Sequence, residues 1–154
     1  MNGLTASAFL LVIALAGSTS ADKKVPPPTM SDLATVWVGG EVNGYLEYYR
    51  LELNQLGQGL LTVQSLPKQP ADAYRVTATQ LDAYSVKFTL QPIDAGAEPM
   101  YLRGSAISIR LNLEAGSTTL DWKRQLRLDR YEDVVARLDA VNRRAEQYWA
   151  RSKE

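Results

Sequence analysis

Hydrophobic and polar residues alternate with a period of two over most of the chain between residues 33 and 128. The alternation is clearest at residues 84–91, 106–114 and 117–128. Weaker alternation predicts earlier strands at residues 34–42, 45–53, 59–66 and 73–81. Such alternation is typical of antiparallel strands with one buried and one solvated face. Turn-forming residues separate these segments, so the pattern predicts a meander of seven or eight antiparallel strands.

The three clearest segments also predict which side chains face the core. These residues are Val86, Phe88 and Leu90, then Ile107, Ile109, Leu111 and Leu113, and finally Leu120, Trp122, Leu126 and Leu128. Arg124 is the only charged residue on the apolar face of the last segment. A guanidinium on that face needs a partner or an opening to water, because burying it unpaired is costly.

At residue 129 the hydrophobic period changes to that of an amphipathic helix, predicted over residues 130–151. Asp129 is the expected N-cap, and Glu132 would complete a capping box. The apolar stripe that we expect to pack on the sheet consists of Tyr131, Val134, Val135, Leu138, Val141, Ala145, Tyr148 and Trp149. The predicted fold is therefore mainly β with a C-terminal α-helix. The sheet forms either a closed barrel, which removes exposed edges, or a strongly curved open sheet around the helix.

The N-terminal segment has the features of an export signal. Residues 6–16 are almost entirely apolar, a run shorter than the roughly 20 residues that span a bilayer. Small residues follow, and Thr19 and Ala21 have the spacing of a signal-peptidase site. We therefore predict a signal peptide over residues 1–21, with export to the periplasm or outside the cell and no membrane span after cleavage. We predict that a proline-rich tether over residues 22–31 comes next, and that residues 32–154 form one domain.

Composition removes several kinds of chemistry. The chain of 154 residues has 17 basic and 17 acidic residues and contains no histidine and no cysteine. It therefore has no Ser-His-Asp triad, no cysteine nucleophile, no disulfide and no zinc site built on these residues. The balanced charge also argues against a nucleic-acid partner. Acidic residues in predicted turns usually cap the local backbone, so we expect neither a metal nor a cofactor.

One strand carries the only candidate binding residues. Glu47 shares a predicted strand face with Tyr45 and Tyr49, an uncommon setting for a carboxylate. Aromatic residues on a sheet can form the floor of a ligand site. The alternative is that the two tyrosines and Glu47 face solvent at the edge of the sheet.

The order of the elements resembles that of lipocalins: a signal peptide, about eight meandering strands and a C-terminal helix. Lipocalins begin the first strand with Gly-x-Trp, and an arginine near the end of the last strand covers this tryptophan. Here Trp37 lies in the first strand, Thr35 stands at the glycine position, and Arg124 and Arg127 lie near the end of the last strand. The resemblance implies a closed barrel in which Arg124 covers Trp37.

The sequence favours two functions over a third, an enzyme, which would require acidic residues that converge in a cleft. The barrel pattern and the lack of catalytic groups favour a non-catalytic protein that binds a small apolar ligand. The proline-rich segment and the long helix with terminal aromatic residues favour a structural or protein-interaction component of the cell envelope. A cavity of roughly 300 Å³ or more inside the barrel would favour the first. The oligomeric state stays open.

Overall fold

The computed structural model describes residues 26–42, 46–66 and 71–151. The predicted signal peptide over residues 1–21 lies outside the described residues, as does the beginning of the predicted tether. The last part of the tether is structured, because the short helix α1 spans Met30–Leu33. Its Thr29 and Asp32 form a capping box, in which each side chain bonds the other residue's backbone N–H. Asp32 therefore has a pKa below its usual range, chiefly because the Thr29 backbone N–H donates to its carboxylate.

Eight antiparallel strands form a closed barrel, as the sequence predicts in one of its two alternatives. They are β1 (Val36–Val42), β2 (Leu46–Leu53), β3 (Gln58–Leu66), β4 (Asp72–Gln80), β5 (Ser85–Pro92), β6 (Met100–Ile107), β7 (Arg110–Ser117) and β8 (Lys123–Arg130). Each strand pairs with its neighbour in sequence. The seam between β1 and β8, where Trp37 pairs with Arg130 and Val38 with Asp129, closes the barrel. The helix α2 (Tyr131–Arg151) follows β8 directly.

Large side chains fill the barrel at the end where β1 begins and β8 ends, which we call the closed end. Trp37, Leu51, Leu61, Leu111 and Leu128 are completely buried there. Helix α1 covers this end through the buried Leu33, and the Trp37 Nε1 donates a hydrogen bond of 3.0 Å to the Leu33 carbonyl oxygen. The opposite end, where β3, β5 and β7 end and β4, β6 and β8 begin, is the mouth of the barrel.

An arginine of the last strand does cover Trp37, but it is Arg130 and not Arg124. The Arg130 guanidinium lies 5.8 Å from the centroid of the Trp37 ring and donates to the Asp32 carbonyl oxygen at 2.9 Å. Arg124 lies about 20 Å further along β8, toward the mouth. The predicted contact between Arg124 and Trp37 was therefore wrong, because β8 begins later and extends further than the alternation indicates.

Two inward-facing glycines allow neighbouring strands to approach closely. A Cβ atom on Gly59 would lie 1.7 Å from the backbone oxygen of Glu52 on β2. On Gly104 it would lie 2.1 Å from the backbone oxygen of Asn112 on β7. Neither position can hold a side chain without moving the backbone. Both glycines therefore allow the close strand approach that the curvature of the closed barrel requires.

The predicted strand over residues 106–114 is in fact two strands. A turn at residues 108–109 separates β6 from β7, and β6 itself was not predicted. Leu111 and Leu113 are buried as expected, but Ile109 is exposed in the turn and Ile107 is only half-buried. The two-residue turn interrupts the ladder, but apolar and polar residues continue to alternate through it. The alternation therefore does not reveal the turn.

The predicted strand over residues 117–128 begins with a connection at the mouth. Residues 118–122 join β7 to β8, and Leu120 in this connection is exposed rather than buried. Leu126 and Leu128 are buried as predicted, and in β5 the same holds for Val86 and Phe88. Leu90 is half-buried and packs against the core.

Helix α2 packs against the barrel as predicted, through contacts with β1 and β8. None of its residues is buried, however, so the expectation that its apolar stripe belongs to the core was wrong. Contacts with β1 and β8 are few, and every residue from Val141 to Arg151 is exposed. Asp129 belongs to β8, and its carboxylate bonds arginine side chains. Neither helix of the described chain is long and apolar enough to cross a membrane.

Asp129 fastens the start of α2 to the barrel. Its carboxylate lies 3.0 Å from Arg137 of the helix and 3.3 Å from Arg110 of β7, and it is 20% exposed. Burial raises the pKa of this carboxyl, but hydrogen bonds from Arg137 and Arg110 outweigh burial and hold the pKa below 3.8. Folding therefore gains stability from the ionised Asp129 above the unfolded-state pKa, and loses it as the pH falls through the lower folded-state value.

We expect Asp129→Asn to lower the free energy of unfolding by about 1–2 kcal/mol at neutral pH, since the bonds it loses are charge-assisted and partly buried. The difference from wild type should shrink as the pH falls below 3.8. Urea unfolding at a series of pH values measures it. Asp121→Asn, in the exposed connection before β8, removes the same charge and should cost far less. A cost at Asp129 that is unchanged at low pH would contradict the assignment.

Candidate functional site

A cavity of about 210 Å³ opens at the mouth, above the packed part of the barrel. The inward-facing ends of β2, β3, β4, β6 and β8 form its wall, and the connections before β6 and β8 add Glu98 and Trp122. The remaining lining residues are Glu47, Tyr49, Val63, Ser65, Asp72, Tyr74, Met100 and Arg124. Because alternate residues of a strand point inward, strand ends that meet at one rim bring these side chains together.

Glu47 lies at the centre of a polar network in this wall. Its carboxylate forms an ion pair with Arg124 and accepts hydrogen bonds from the Tyr49 hydroxyl at 2.7 Å and the Ser65 hydroxyl at 3.4 Å. The Arg124 and Glu47 side chains are 23% and 19% exposed, so the pair is partly shielded from water. This is the partner that the guanidinium of Arg124 requires on an otherwise apolar strand face.

Arg124 also connects this network to the aromatic wall. Its guanidinium lies over the Trp122 ring at 4.6 Å from the centroid, within the distance of a cation–π contact. The Trp122 Nε1 in turn donates a hydrogen bond of 3.1 Å to the Glu98 carboxylate. Arg124 is therefore positioned from two sides, by Glu47 and by Trp122.

Tyr74 forms the opposite part of the wall. Its ring is buried, and its hydroxyl donates a hydrogen bond of 2.7 Å to the Glu98 carbonyl oxygen. Burial, and then the negative charges of Asp72 and Glu98, raise the pKa of Tyr74 to about 12. Tyr74 thus remains a neutral hydrogen-bond donor under all ordinary conditions.

The described residues that line the mouth carry a net negative charge. Three carboxylates, Glu47, Asp72 and Glu98, line it together with one guanidinium, Arg124. Arg124 and Glu47 neutralise each other, which leaves the charges of Asp72 and Glu98. Among the described residues, no group of three or more acidic side chains has the arrangement that holds a metal ion. Asp82, outside the mouth, caps a turn by accepting from the backbone N–H groups of Tyr84 and Ser85.

Two of the three candidate binding residues from the sequence lie in the lining of this cavity. Glu47 and Tyr49 line the cavity together, whereas Tyr45 lies outside the described residues. Sequence reasoning assigned Arg124 to Trp37, and it did not connect Ser65, Tyr74 or Glu98 with the site. Tyr74 lies in a predicted strand, and the alternation puts it on the buried face, but only the barrel register brings it to the mouth.

The fold and the mouth together define a closed eight-stranded antiparallel barrel with a small polar cavity at one end, consistent with a lipocalin-like barrel. No protein-family model, no curated protein and no solved structure matches this chain.

Proposed function

We propose that this protein is an exported, lipocalin-like barrel that binds a small ligand in its mouth without catalysing a reaction. The convergence of aromatic walls with Glu47, Tyr74 and Arg124 on one cavity carries the proposal. Small-molecule sites combine apolar and aromatic walls with polar groups that converge on the ligand. Here Tyr49, Tyr74 and Trp122 supply the aromatic part, and the polar share of the lining is larger than usual.

The size of the cavity limits the ligand. At about 210 Å³ it lies below the roughly 300–1,000 Å³ of most ligand pockets. The cavity size that would favour the binding of an apolar ligand is therefore not reached, and the proposal depends on the polar and aromatic groups at the mouth. The ligand must therefore be compact, on the scale of one aromatic ring with a short substituent. The sequence predicts an apolar ligand, but the polar wall favours a ligand that also carries a polar group. A wholly apolar ligand would displace water from the polar groups at the mouth without offering them a new hydrogen-bond partner.

The charge of the mouth favours a ligand with one cationic group. Asp72 is exposed at the rim, and Glu98 uses one carboxylate oxygen for Trp122. Both lie next to aromatic rings that can pack against an apolar body. A compact aromatic amine satisfies both conditions, with its ring between Trp122 and Tyr74 and its ammonium near the two carboxylates.

Three ligands of almost equal shape test the proposal: phenethylamine, 2-phenylethanol and phenylacetate. In saturation-transfer NMR we expect the amine to bind most tightly and phenylacetate least. Trp122→Ala should weaken amine binding at least about tenfold, and Trp149→Ala, an exposed tryptophan of α2, should leave it unchanged. Equal binding of all three ligands would contradict the preference for a cationic group but not the existence of a ligand site. If none of the three binds, the proposal of a ligand site is wrong.

The exposed stripe of α2 favours a second candidate, a protein-interaction component of the cell envelope. Large apolar side chains on a helix rarely stay uncovered when they form a continuous face. Replacing Leu138 and Val141 with glutamine should then move the chain from the envelope fraction of its cells to the soluble fraction. Unchanged fractionation would contradict this second function.

A further inference from the structure

The apolar face of α2 has the repeat of a coiled coil. The helix contains 21 residues, the length of three heptads. Tyr131, Leu138 and Ala145 occupy one apolar position of the heptad, and Val134, Val141 and Tyr148 occupy the other, so the spacing alternates between three and four residues. Leu138, Val141, Tyr148 and Trp149 are between 57% and 67% exposed, so the barrel does not cover them. We propose that α2 assembles copies of this chain into a parallel coiled coil.

The residues beside the stripe favour copies of the same chain in parallel orientation. One flank carries arginine in every heptad, at Arg137, Arg144 and Arg151, and the other carries Val135, Asn142 and Trp149. In a parallel pair the two different flanks meet, so Arg144 of one copy lies beside Trp149 of the next. An arginine over a tryptophan ring is a favourable cation–π contact.

The antiparallel arrangement is disfavoured by the same residues. Equal flanks would then meet, so that Arg144 would face Arg144 of the second copy when the second halves of the helices overlap. Like charges at these positions repel each other. The acidic residues of the helix, Glu132, Asp133, Asp139 and Glu146, lie outside the stripe and its two flanks and do not compensate this repulsion.

The central heptad of the stripe has Leu138 at the first apolar position and β-branched Val141 at the second. Leucine at the first position with β-branched isoleucine at the second shifts parallel coiled coils toward trimers and tetramers. The other heptads pair Tyr131 with Val134 and Ala145 with Tyr148, so the number of copies is left to the measurement of the oligomeric state.

The attachment of α2 to the barrel leaves this face accessible. Arg137 bonds Asp129, and the Arg50 guanidinium lies 5.8 Å from the Tyr131 ring, so the first turns are held against the barrel. From Val141 onward the helix is exposed on all sides and extends for about 16 Å. Copies can therefore meet through the second half of the helix.

The oligomeric state of the full chain tests the proposal. The proposal rests on the second candidate function, in which α2 binds a protein, and names another copy of this chain as that protein. It does not depend on whether the mouth binds a ligand. Light scattering after size-exclusion chromatography should show an oligomer at tens of micromolar protein. Leu138→Gln with Val141→Gln should raise the concentration of half-dissociation at least about tenfold. Arg143→Gln with Glu146→Gln, on the outer face, should leave it unchanged. Circular dichroism verifies that each variant retains the barrel.

A monomeric wild type at these concentrations, or an oligomer that the stripe variant leaves intact, would overturn the proposal. The fractionation experiment would still decide whether the stripe binds a different protein. Orientation is tested separately, since the chain contains no cysteine. Tyr148→Cys should form a disulfide between copies in a parallel coil, where identical positions meet. Gln147→Cys, one position outside the stripe, should not, and the reverse result would contradict the parallel arrangement.

Discussion

Replacing Trp37 with alanine is expected to lower the free energy of unfolding by about 3–5 kcal/mol, which makes it one of the most damaging single changes in the protein. The Trp37 side chain is completely buried at the closed end, beneath Leu33 of α1 and beside Arg130 of β8. Its removal leaves a large cavity. It also removes the hydrogen bond to the buried Leu33 carbonyl oxygen and the ring that the Arg130 guanidinium covers.

Urea unfolding followed by circular dichroism measures this loss. Trp37→Phe retains most of the apolar volume but removes the Nε1 donor, so it should cost clearly less than Trp37→Ala. Leu120→Ala, in the exposed connection at the mouth, should cost under about 0.5 kcal/mol. Equal losses at Trp37 and Leu120 would contradict the assignment of Trp37 to the core.

Gly59→Ala should destabilise the barrel by about 3 kcal/mol or more, because a Cβ atom at this position cannot be accommodated by a change of rotamer. The atom would lie 1.7 Å from the backbone oxygen of Glu52 and 2.7 Å from its carbonyl carbon. To relieve this clash, β2 and β3 would have to separate near Gly59, and that would break hydrogen bonds between the two strands.

Gly96→Ala is the matched control, since a Cβ atom there would have no neighbour within 4 Å. It should change stability by no more than about 1 kcal/mol, and in the stabilising direction, because alanine restricts the unfolded chain more than glycine does. Thermal unfolding of the two variants measures the contrast. Similar midpoints for both would mean that β2 and β3 do not approach each other as closely as described.

The hydrophobic pattern was a good guide to strands and a poor guide to their ends. Alternation in residues 84–91 identified Val86 and Phe88 correctly, because one face of an antiparallel sheet is buried. The same rule failed at Ile109, since a short turn can carry the alternation from one strand into the next. Barrel closure itself could not be read from the sequence, because it depends on the register between the first and last strands.

The site shows the same limit. Glu47 and Tyr49 were recognisable because a carboxylate with tyrosine neighbours is unusual on a buried strand face. Their partner Arg124 is 77 positions further along the chain than Glu47, and only the register of the barrel brings the two together. A stripe of apolar residues such as that of α2 shows that a helix has a face to cover. It does not show whether the cover is the helix's own sheet or another chain.

The seam between β1 and β8 has a consequence for the order in which the barrel forms and opens. Every other ladder joins strands adjacent in sequence, so these hairpins can form early and locally. The seam joins the first strand to the last with only two residue pairs in register, whereas β1 and β2 share seven. Among the eight ladders it has the longest loop to close and the fewest paired residues, so we expect it to form last and to exchange its amide hydrogens first.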